Sequence, residues 1–501
     1  MKIRFFEKRD FYLWAGLFIL LLMRFFISWF ATFGIDSPLI YTRTAELFNT
    51  GVIPPYAIHV PITQNAFIPG PGISVLYWLM FVITKNPIYV GMVTGILQLI
   101  GIFVLYRLFL EAFSKRTAII IAFLMLINPW LSYYSVGLWN PSLIFLFSSL
   151  AFYSLYKLKQ NNNSVYWIML AFALCMAVQV HMSAFLLILI SFIYLVSYRI
   201  WPGFKNILFG SAVFVLLFFS YIKYEIINGG SNTINLFTGA TGASFKLESL
   251  IRALHFSVIF QSTEIAHFAG AGIKRVVFFY SYHPLLSVIL IPLSILTAYF
   301  SYVIFWTFLK NNFSLSKIRL SIKSSPIALL FLLAFIVNPL IYYFTPRPFS
   351  PHNLIVIVPF LWIPVASFIH QPGQLYFPYI NLKRAISIYV LSSLIAIYMI
   401  LLSHPYQVPV KDIIKVTEFI GRSENIPVSL EITDQVLELD ALETLHKNYF
   451  GRDYDLIARV KTEPKKKFIL IDKRLKASVN TEALNTGSVV VIEKQKATDF
   501  Q

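Results

Sequence analysis

The sequence predicts an α-helical polytopic membrane protein followed by a small α/β domain. Three observations predict it. The chain is 57% hydrophobic and 13% charged with a mean hydropathy of +0.70, which is far more apolar than a soluble domain. Apolar runs of membrane-spanning length recur through the first 403 residues. From His404 onward those runs stop, and charges of both signs replace them.

A helix needs about 20 apolar residues to cross the hydrocarbon core. Runs near 11–31, 87–110, 117–133, 139–157, 165–180, 183–198, 206–222, 286–308, 327–344, 353–370 and 385–403 give about eleven spans. The first lacks a small-residue cleavage site and reads as an anchor. Residues 32–86 form a first outer loop, in which PGISVLYWLMFVIT (71–84) is too short to cross and reads as an interfacial helix. Residues 223–285 form a second. There GGSNTINLFTGATGAS reads as a flexible stretch, while Leu247, Leu250, Ile251, Leu254 and Val258 recur at helical spacing. Beyond residue 403, KDIIKVTEFIGRSE reads as an amphipathic helix, and PVSLEIT, KKFILIDKR and SVVVIEKQ read as short strands. The expected domains are therefore 1–403 in the membrane and 404–501 as an extracytoplasmic α/β domain, read as a docking or capping unit.

The net charge of +18 lies wholly in the membrane part, where 26 basic residues face 8 acidic ones. Its basic clusters are MKIRFFEKRD, LEAFSKRT, YKLKQNNN, YRIWPGFK, LKNNFSLSKIRLSIK and NLKR. All fall on one side if the N-terminus is cytoplasmic, as the positive-inside rule requires. An odd number of spans then puts the C-terminus outside. The charge thus follows membrane topology and does not point to nucleic acid. Cys175 is the single cysteine, so no disulfide forms within the chain. No Cys/His set has metal-ligand spacing, and no phosphate loop or nucleophile elbow is present.

Acid–base work on the outer face has few candidates. Glu7, Asp10 and Glu111 fall on the cytoplasmic side, leaving Asp36, Glu46, Glu225, Glu248 and Glu264 outside. Asp36, in GIDSPLIYTRTAELF, stands just past the first span. It also reads as a helix N-cap, with Pro38 in the first turn, and the two roles are compatible. Arg24 lies inside the first span, where an arginine faces a wet interior or snorkels to the interface. Arg43 is seven residues after Asp36, on the same helical face. Arg347 and His352 lie in the Pro-rich segment TPRPFSPHN; Arg suits bidentate phosphate contact, or the loop is a stiff turn at the headgroups. LWNPS (138–142) reads as a helix start with Trp139 in the interfacial belt and Asn140 as cap. Gln179 and His181 end the fifth span, where two polar groups at a helix break point to a cavity lining.

The order of these features resembles the GT-C glycosyltransferases, typified by dolichyl-phosphate-mannose protein mannosyltransferases and bacterial aminoarabinose lipid A transferases. The shared pattern is an Arg-containing first span, then Asp36, Tyr41, Ala45, Gly51, the PPY of 54–56 and PGPG before an apolar helix. INPWLSYYSVGLWNPSLIFLF (127–147) and RPFSPHNLIVIVPF (347–360) continue it. The resemblance implies an enzyme of the bacterial plasma membrane that moves a sugar from a polyprenyl-phosphate donor to a glycan, lipid or protein acceptor. It implies Asp36 as catalytic carboxylate, Arg347, Arg43 and Arg24 as donor-phosphate ligands, and Tyr41, Glu46, Asn140, Gln179, His181 and His352 as cavity lining. Three departures stand out. Ser37 replaces the second acid of the family's usual pair, Phe67-Ile68-Pro69-Gly70 stands where His-Pro-Pro-Leu is common, and Asn140 stands where many relatives have Asp. Ser37 in place of the second acid puts the family's divalent metal in doubt while leaving it possible, and no other cofactor is implied.

The chemistry is consistent with that pattern. An acceptor hydroxyl must lose a proton as it attacks the anomeric carbon, so a carboxylate base is wanted. The phosphate leaving group needs cationic stabilisation. A single displacement inverts the anomeric centre. A lipid-linked saccharide flippase would instead carry ionisable groups at mid-membrane in several spans, and only Arg24 fits. A polysaccharide ligase or polymerase would centre Arg and His in a long late loop, whereas this one has about eight residues.

Overall fold

The computed structural model describes residues 37–59, 66–135, 137–239, 246–266, 276–277, 280–281, 283–313, 325–344, 349–372 and 382–403, with Ile27 and four strands between 428 and 493. Asp36, Arg24, Arg347, the first span and the amphipathic segment 411–424 lie outside the described residues.

The first outer loop begins with α1 (Ser37–Thr50), continues through a hairpin of β1 (Tyr56–His59) and β2 (Phe67–Pro69), and ends in α2 (Gly72–Phe81). The short helix expected at 71–84, read as interfacial or re-entrant, is present as α2. Its N-terminus follows Gly70, whose φ of +87° lies in the left-handed region that glycine tolerates. Tyr41 locks α1 to α2: its ring packs 5.3 Å from that of Phe81, and its hydroxyl donates to the Lys85 carbonyl.

The bundle follows as α3 (Pro87–Ala112), α4 (Lys115–Leu126), α5 (Pro129–Tyr133), α6 (Asn140–Gln160), α7 (Ser164–Val180), α8 (Ala184–Ser197) and α9 (Phe204–Ile227). Local chemistry sets the starts. Asn86, Ser114, Asn128 and Asn163 each accept a backbone N–H as N-caps, and Pro87, Pro129 and Pro141 occupy first-turn positions. α6 is central: 83% of its apolar window is buried, and it packs on α3 and α7. α9 is peripheral, with 6% of its window buried, so its apolar face is turned outward to the bilayer.

The second outer segment holds α10 (Ser231–Gly239) and α11 (Leu247–Ile259). α11 matches the apolar spacing. α10 corrects the reading of a flexible stretch. The Glu225 carboxylate, at the end of α9, accepts from the N–H groups of Asn232 (3.3 Å) and Thr233 (2.7 Å) and so caps the helix from outside its own sequence. Then come α12 (Pro284–Asn312), α13 (Pro326–Phe344), a 3-10 turn (Pro351–Val356), α14 (Val358–Leu361), α15 (Ile363–His370) and α16 (Leu382–Ser403). Two expected spans are thus broken. The run 117–133 divides at Ile127–Asn128, where Asn128 caps a new helix. The run 353–370 is three short pieces, restarted around Pro351, Pro359 and Pro364. Among the described residues six helices (α3, α6, α9, α12, α13 and α16) are long and apolar enough to cross a membrane, and shorter apolar helices accompany them.

Beyond residue 427, β3 (Val428–Ile432), β4 (Lys466–Asp472), β5 (Ala483–Asn485) and β6 (Val489–Glu493) form one sheet in the order β3-β4-β6-β5. β3 and β4 are parallel with Val428 opposite Lys466; the other pairs are antiparallel. Three of the four strands fall where alternating apolar residues placed them.

Candidate active site

The site is built on the turn between α5 and α6. Gly137 has a φ of +85°, and the turn presses so closely on α3 that a Cβ on Gly91 would lie 3.0 Å from the Gly137 Cα. The Thr94 hydroxyl donates to the Gly137 carbonyl at 3.0 Å, and the Trp139 N–H donates to the Tyr77 hydroxyl at 3.1 Å. α2 and α3 therefore hold the turn from two sides.

The turn also receives the start of α1. The Ser37 hydroxyl, 1% exposed, donates to the Leu138 carbonyl at 2.7 Å across 101 residues of sequence. This bond fixes the first residue of α1 beside Trp139. The residue before it in sequence is Asp36.

Two histidines complete the cluster. The Trp139 ring lies 5.3 Å from that of His352, and the His352 ring meets His181 edge-on at 6.0 Å. Their orientations are held locally. His181 Nδ1 accepts the Ser183 backbone N–H at 3.1 Å, which puts the proton of a neutral ring on Nε2. His352 Nδ1 lies 2.8 Å from the Ser350 hydroxyl. On the other side of Trp139 the Tyr134 ring packs at 5.1 Å; burial keeps its phenol well above its ordinary pKa, with Tyr133 adding to the rise, so Tyr134 stays protonated. The late Pro-rich segment and the end of α7 thus meet over the α5–α6 turn, bringing together His181 and His352, which are 171 positions apart in the chain.

The other expected residues sit as follows. Asn140 is 2% exposed; its Nδ2 donates to the Val180 carbonyl at 3.1 Å, tying α6 to the residue before His181, while its Oδ1 is buried without a hydrogen-bond partner. Gln179 bonds to other elements than the histidine cluster. Its Oε1 accepts the Gly72 N–H at 2.9 Å and its Nε2 donates to the Leu217 carbonyl at 3.2 Å, so it joins α2, α7 and α9. Tyr41 is buried in the α1–α2 contact. Arg43 pairs with Glu46 at 2.9 Å and lies 5.4 Å over the Tyr56 ring. Sequence reasoning treated Trp139 as structural, yet its ring joins His352 to the α5–α6 turn. The signal was the LWNPS break itself.

The carboxylates expected on the outer face sort by their partners. Glu46 pairs with Arg43, Glu225 caps α10, Glu248 pairs with Arg252 at 3.4 Å, and Glu264 accepts the Ala266 N–H at 2.5 Å. Four of the five are engaged in local structure, and the fifth is Asp36.

The described residues do not fit a divalent metal at this cluster. Ser37 and Asn140 both act as donors to carbonyl oxygens, and among the described residues no group of three His, Cys, Asp or Glu could hold an ion.

Residues 69–223 match the family model of dolichyl-phosphate-mannose-protein mannosyltransferases. The whole chain superposes on ArnT from Cupriavidus metallidurans: the apo crystal structure gives a TM-score of 0.56 at 12% identity, covering 96% of this chain and 97% of that one. This chain has the fold of ArnT. The ArnT structure bound to undecaprenyl phosphate matches equally, with a TM-score of 0.57 at 12% identity and coverage of 96% and 98%. No curated protein sequence matches the chain. The family-model match runs from the end of β2 into α9 and includes Trp139, Asn140 and His181.

Proposed function

We propose that this GT-C protein is a membrane glycosyltransferase that moves a sugar from a polyprenyl phosphate to an acceptor at the extracytoplasmic face. The observation that carries the reading is the meeting of the α1 start, Trp139, His181 and His352 on one turn of the GT-C bundle. Asp36, one residue before the anchored Ser37, is the general base. It takes the proton of the acceptor hydroxyl as that oxygen bonds to the anomeric carbon. The bond from that carbon to the phosphate oxygen breaks on the opposite side, so the centre inverts and polyprenyl phosphate leaves. Arg347, five residues before His352, meets the phosphate together with Arg24. The His181 and His352 rings and the Trp139 face shape the sugar pocket. No step runs through a metal.

On this reading about eleven spans cross a bacterial plasma membrane, with the N-terminus inside and the C-terminus outside. Residues 404–501 then form an outer domain over the membrane part. The test is transfer by the purified protein from a panel of polyprenyl-phosphate sugars, comparing wild type with Asp36→Asn. Loss of transfer with an unchanged melting profile is expected. Transfer that survives the substitution removes Asp36 as the base, and absence of transfer from every polyprenyl-phosphate sugar by wild type removes the donor class.

A further inference from the structure

His352 packs on Trp139, and the backbone of Trp139 is held by buried side chains of two other helices. Gly91, Thr94, Gly95 and Gln98 share one face of α3 and run antiparallel to the chain from Leu131 to Gly137. The Gln98 Nε2 donates to the Leu131 carbonyl at 2.9 Å, and a Cβ on Gly95 would lie 3.2 Å from the Ser135 carbonyl oxygen. Thr94 stands under the turn itself. From the other side α2 brings Tyr77, which is fully buried like Thr94.

The Tyr77 and Thr94 hydroxyls lie 2.8 Å apart. What the two ends can do fixes the direction of every bond. The Trp139 N–H can only donate, and it reaches the Tyr77 oxygen at 3.1 Å. The Gly137 carbonyl can only accept, and the Thr94 hydroxyl donates to it at 3.0 Å. Thr94 has one proton, so Tyr77 is the donor between the two hydroxyls. The Tyr77 oxygen also lies 3.4 Å from the Gly137 and Trp139 carbonyls, contacts too long to draw its proton from Thr94. A directed chain results, from the Trp139 N–H through Tyr77 and Thr94 to the Gly137 carbonyl. It begins and ends within three residues of sequence and so closes a ring around the turn. Away from water, each bond of such a chain strengthens the next. The turn needs this hold, because a glycine at its centre has no side chain to select one conformation.

We infer that Tyr77 and Thr94 are positioning residues for sugar transfer: their hydroxyl chain sets the Trp139 backbone, and with it the place of the Trp139 ring against His352. Both act through Trp139 from within the bundle. The inference rests on the reading of Trp139 as a wall of the sugar pocket. A displacement of about 1 Å at such a wall is enough to cost about 100-fold in rate.

The experiment measures transfer by the full-length protein from undecaprenyl phosphate carrying mannose, galactose or aminoarabinose, with hydrogen exchange at the Trp139 amide alongside. Tyr77→Phe removes both bonds of the phenol while keeping its ring, and should lower kcat/KM about 100-fold. Thr94→Val keeps the shape but not the hydroxyl and should cost about 10-fold, whereas Thr94→Ser should restore transfer. Inhibition by bare undecaprenyl phosphate, which carries no sugar, should be unchanged in all three. In a Trp139→Ala background Tyr77→Phe should cost nothing further, because the residue it acts through is gone. Exchange at the Trp139 amide should quicken in Tyr77→Phe. Melting profiles identify any variant that fails to fold, and the Thr94→Val and Thr94→Ser pair carries the test if Tyr77→Phe is that variant. Transfer within about 2-fold of wild type in both Tyr77→Phe and Thr94→Val overturns the inference. So does a loss from Tyr77→Phe that is as large in Trp139→Ala as in wild type, or a parallel loss of inhibition by bare undecaprenyl phosphate. Absence of transfer by wild type from every donor removes the donor reading instead, and unchanged exchange at Trp139 in Tyr77→Phe overturns the hydroxyl chain on its own.

Discussion

Substituting Ser37 with aspartate would restore the acid pair common among GT-C relatives, and the structure says it should do harm. Ser37 is 1% exposed, and its hydroxyl donates to the Leu138 carbonyl at 2.7 Å. An ionised carboxylate has no proton to give. Either exchange, to aspartate or to alanine, leaves the buried Leu138 carbonyl without its donor, at about 1–3 kcal/mol, which is the loss expected for Ser37→Ala. Ser37→Asp when ionised loses that and also buries an unpaired charge beside a carbonyl oxygen, for about 3–5 kcal/mol in all. The two variants should part with pH. Burial raises the carboxyl's folded pKa above its unfolded value of about 3.9. Between those two values the folded state holds a proton that the unfolded state lacks, and the protonated carboxyl can donate to Leu138. The deficit of Ser37→Asp should therefore grow as pH rises through the folded pKa and shrink as pH falls, while that of Ser37→Ala stays level. Thermal unfolding of the three proteins in one detergent, from about pH 4.5 to 8, measures this relative to wild type at each pH. A Ser37→Asp protein as stable as wild type at the upper end, or one whose transfer rises on adding a divalent ion, would refute the reasoning.

Other substitutions test the frame around the site. Gly91→Ala puts a methyl 3.0 Å from the Gly137 Cα, a backbone atom, and should cost about 1–3 kcal/mol in stability; an unchanged melting profile would show that the turn is not pressed on α3. Gln179→Leu leaves the Gly72 N–H and the Leu217 carbonyl without their partner, at about 1–3 kcal/mol for each buried group, and hydrogen exchange should show α2 loosening first. His352→Ala should lower kcat about 100-fold with little change in melting temperature, because its ring is half-buried at the cluster and not in the packed core. Transfer close to wild type in that variant would place the sugar elsewhere.

Much of the fold was legible because long apolar runs have one solution in a membrane. α3, α6, α9, α12, α13 and α16 all fall on runs read as spans. Three of the four strands after residue 427 were legible as short apolar runs, and β5 was not. α10 was not, since its cap comes from Glu225 on the preceding helix, and a window of Gly, Ser, Thr and Asn carries no trace of it. At the site, His181 and His352 were legible as polar residues at helix breaks, although only the fold reveals that they meet. Ser37 could be noticed only as a missing acid. Its role lies in a bond to Leu138, which no local pattern encodes.

The two runs whose continuity was misjudged adjoin the site: α5 leads into the Trp139 turn, and His352 stands in the 3-10 turn that opens the second. A hydropathy window averages over the break at Asn128 and over Pro351, Pro359 and Pro364, because the flanking residues are apolar. Physically, a break inside a bundle is tolerated only where other groups satisfy the freed backbone. Asn128 does so here: Oδ1 accepts the Leu131 N–H at 2.9 Å, and Nδ2 donates to the Phe260 carbonyl at 3.2 Å and the Tyr389 hydroxyl at 2.8 Å. One side chain thus fixes α5 against the end of α11 and against α16. Trp130, two residues on, donates its indole N–H to the Glu264 carbonyl at 3.0 Å. With α5 held from below and the Gly137 turn held by α2 and α3, Trp139 has little freedom, and His352 packs on a fixed surface. The departure from regular helix is what gives a rigid apolar bundle a polar, shaped surface at its outer end, and local sequence–structure conflict of this kind is expected where function is placed.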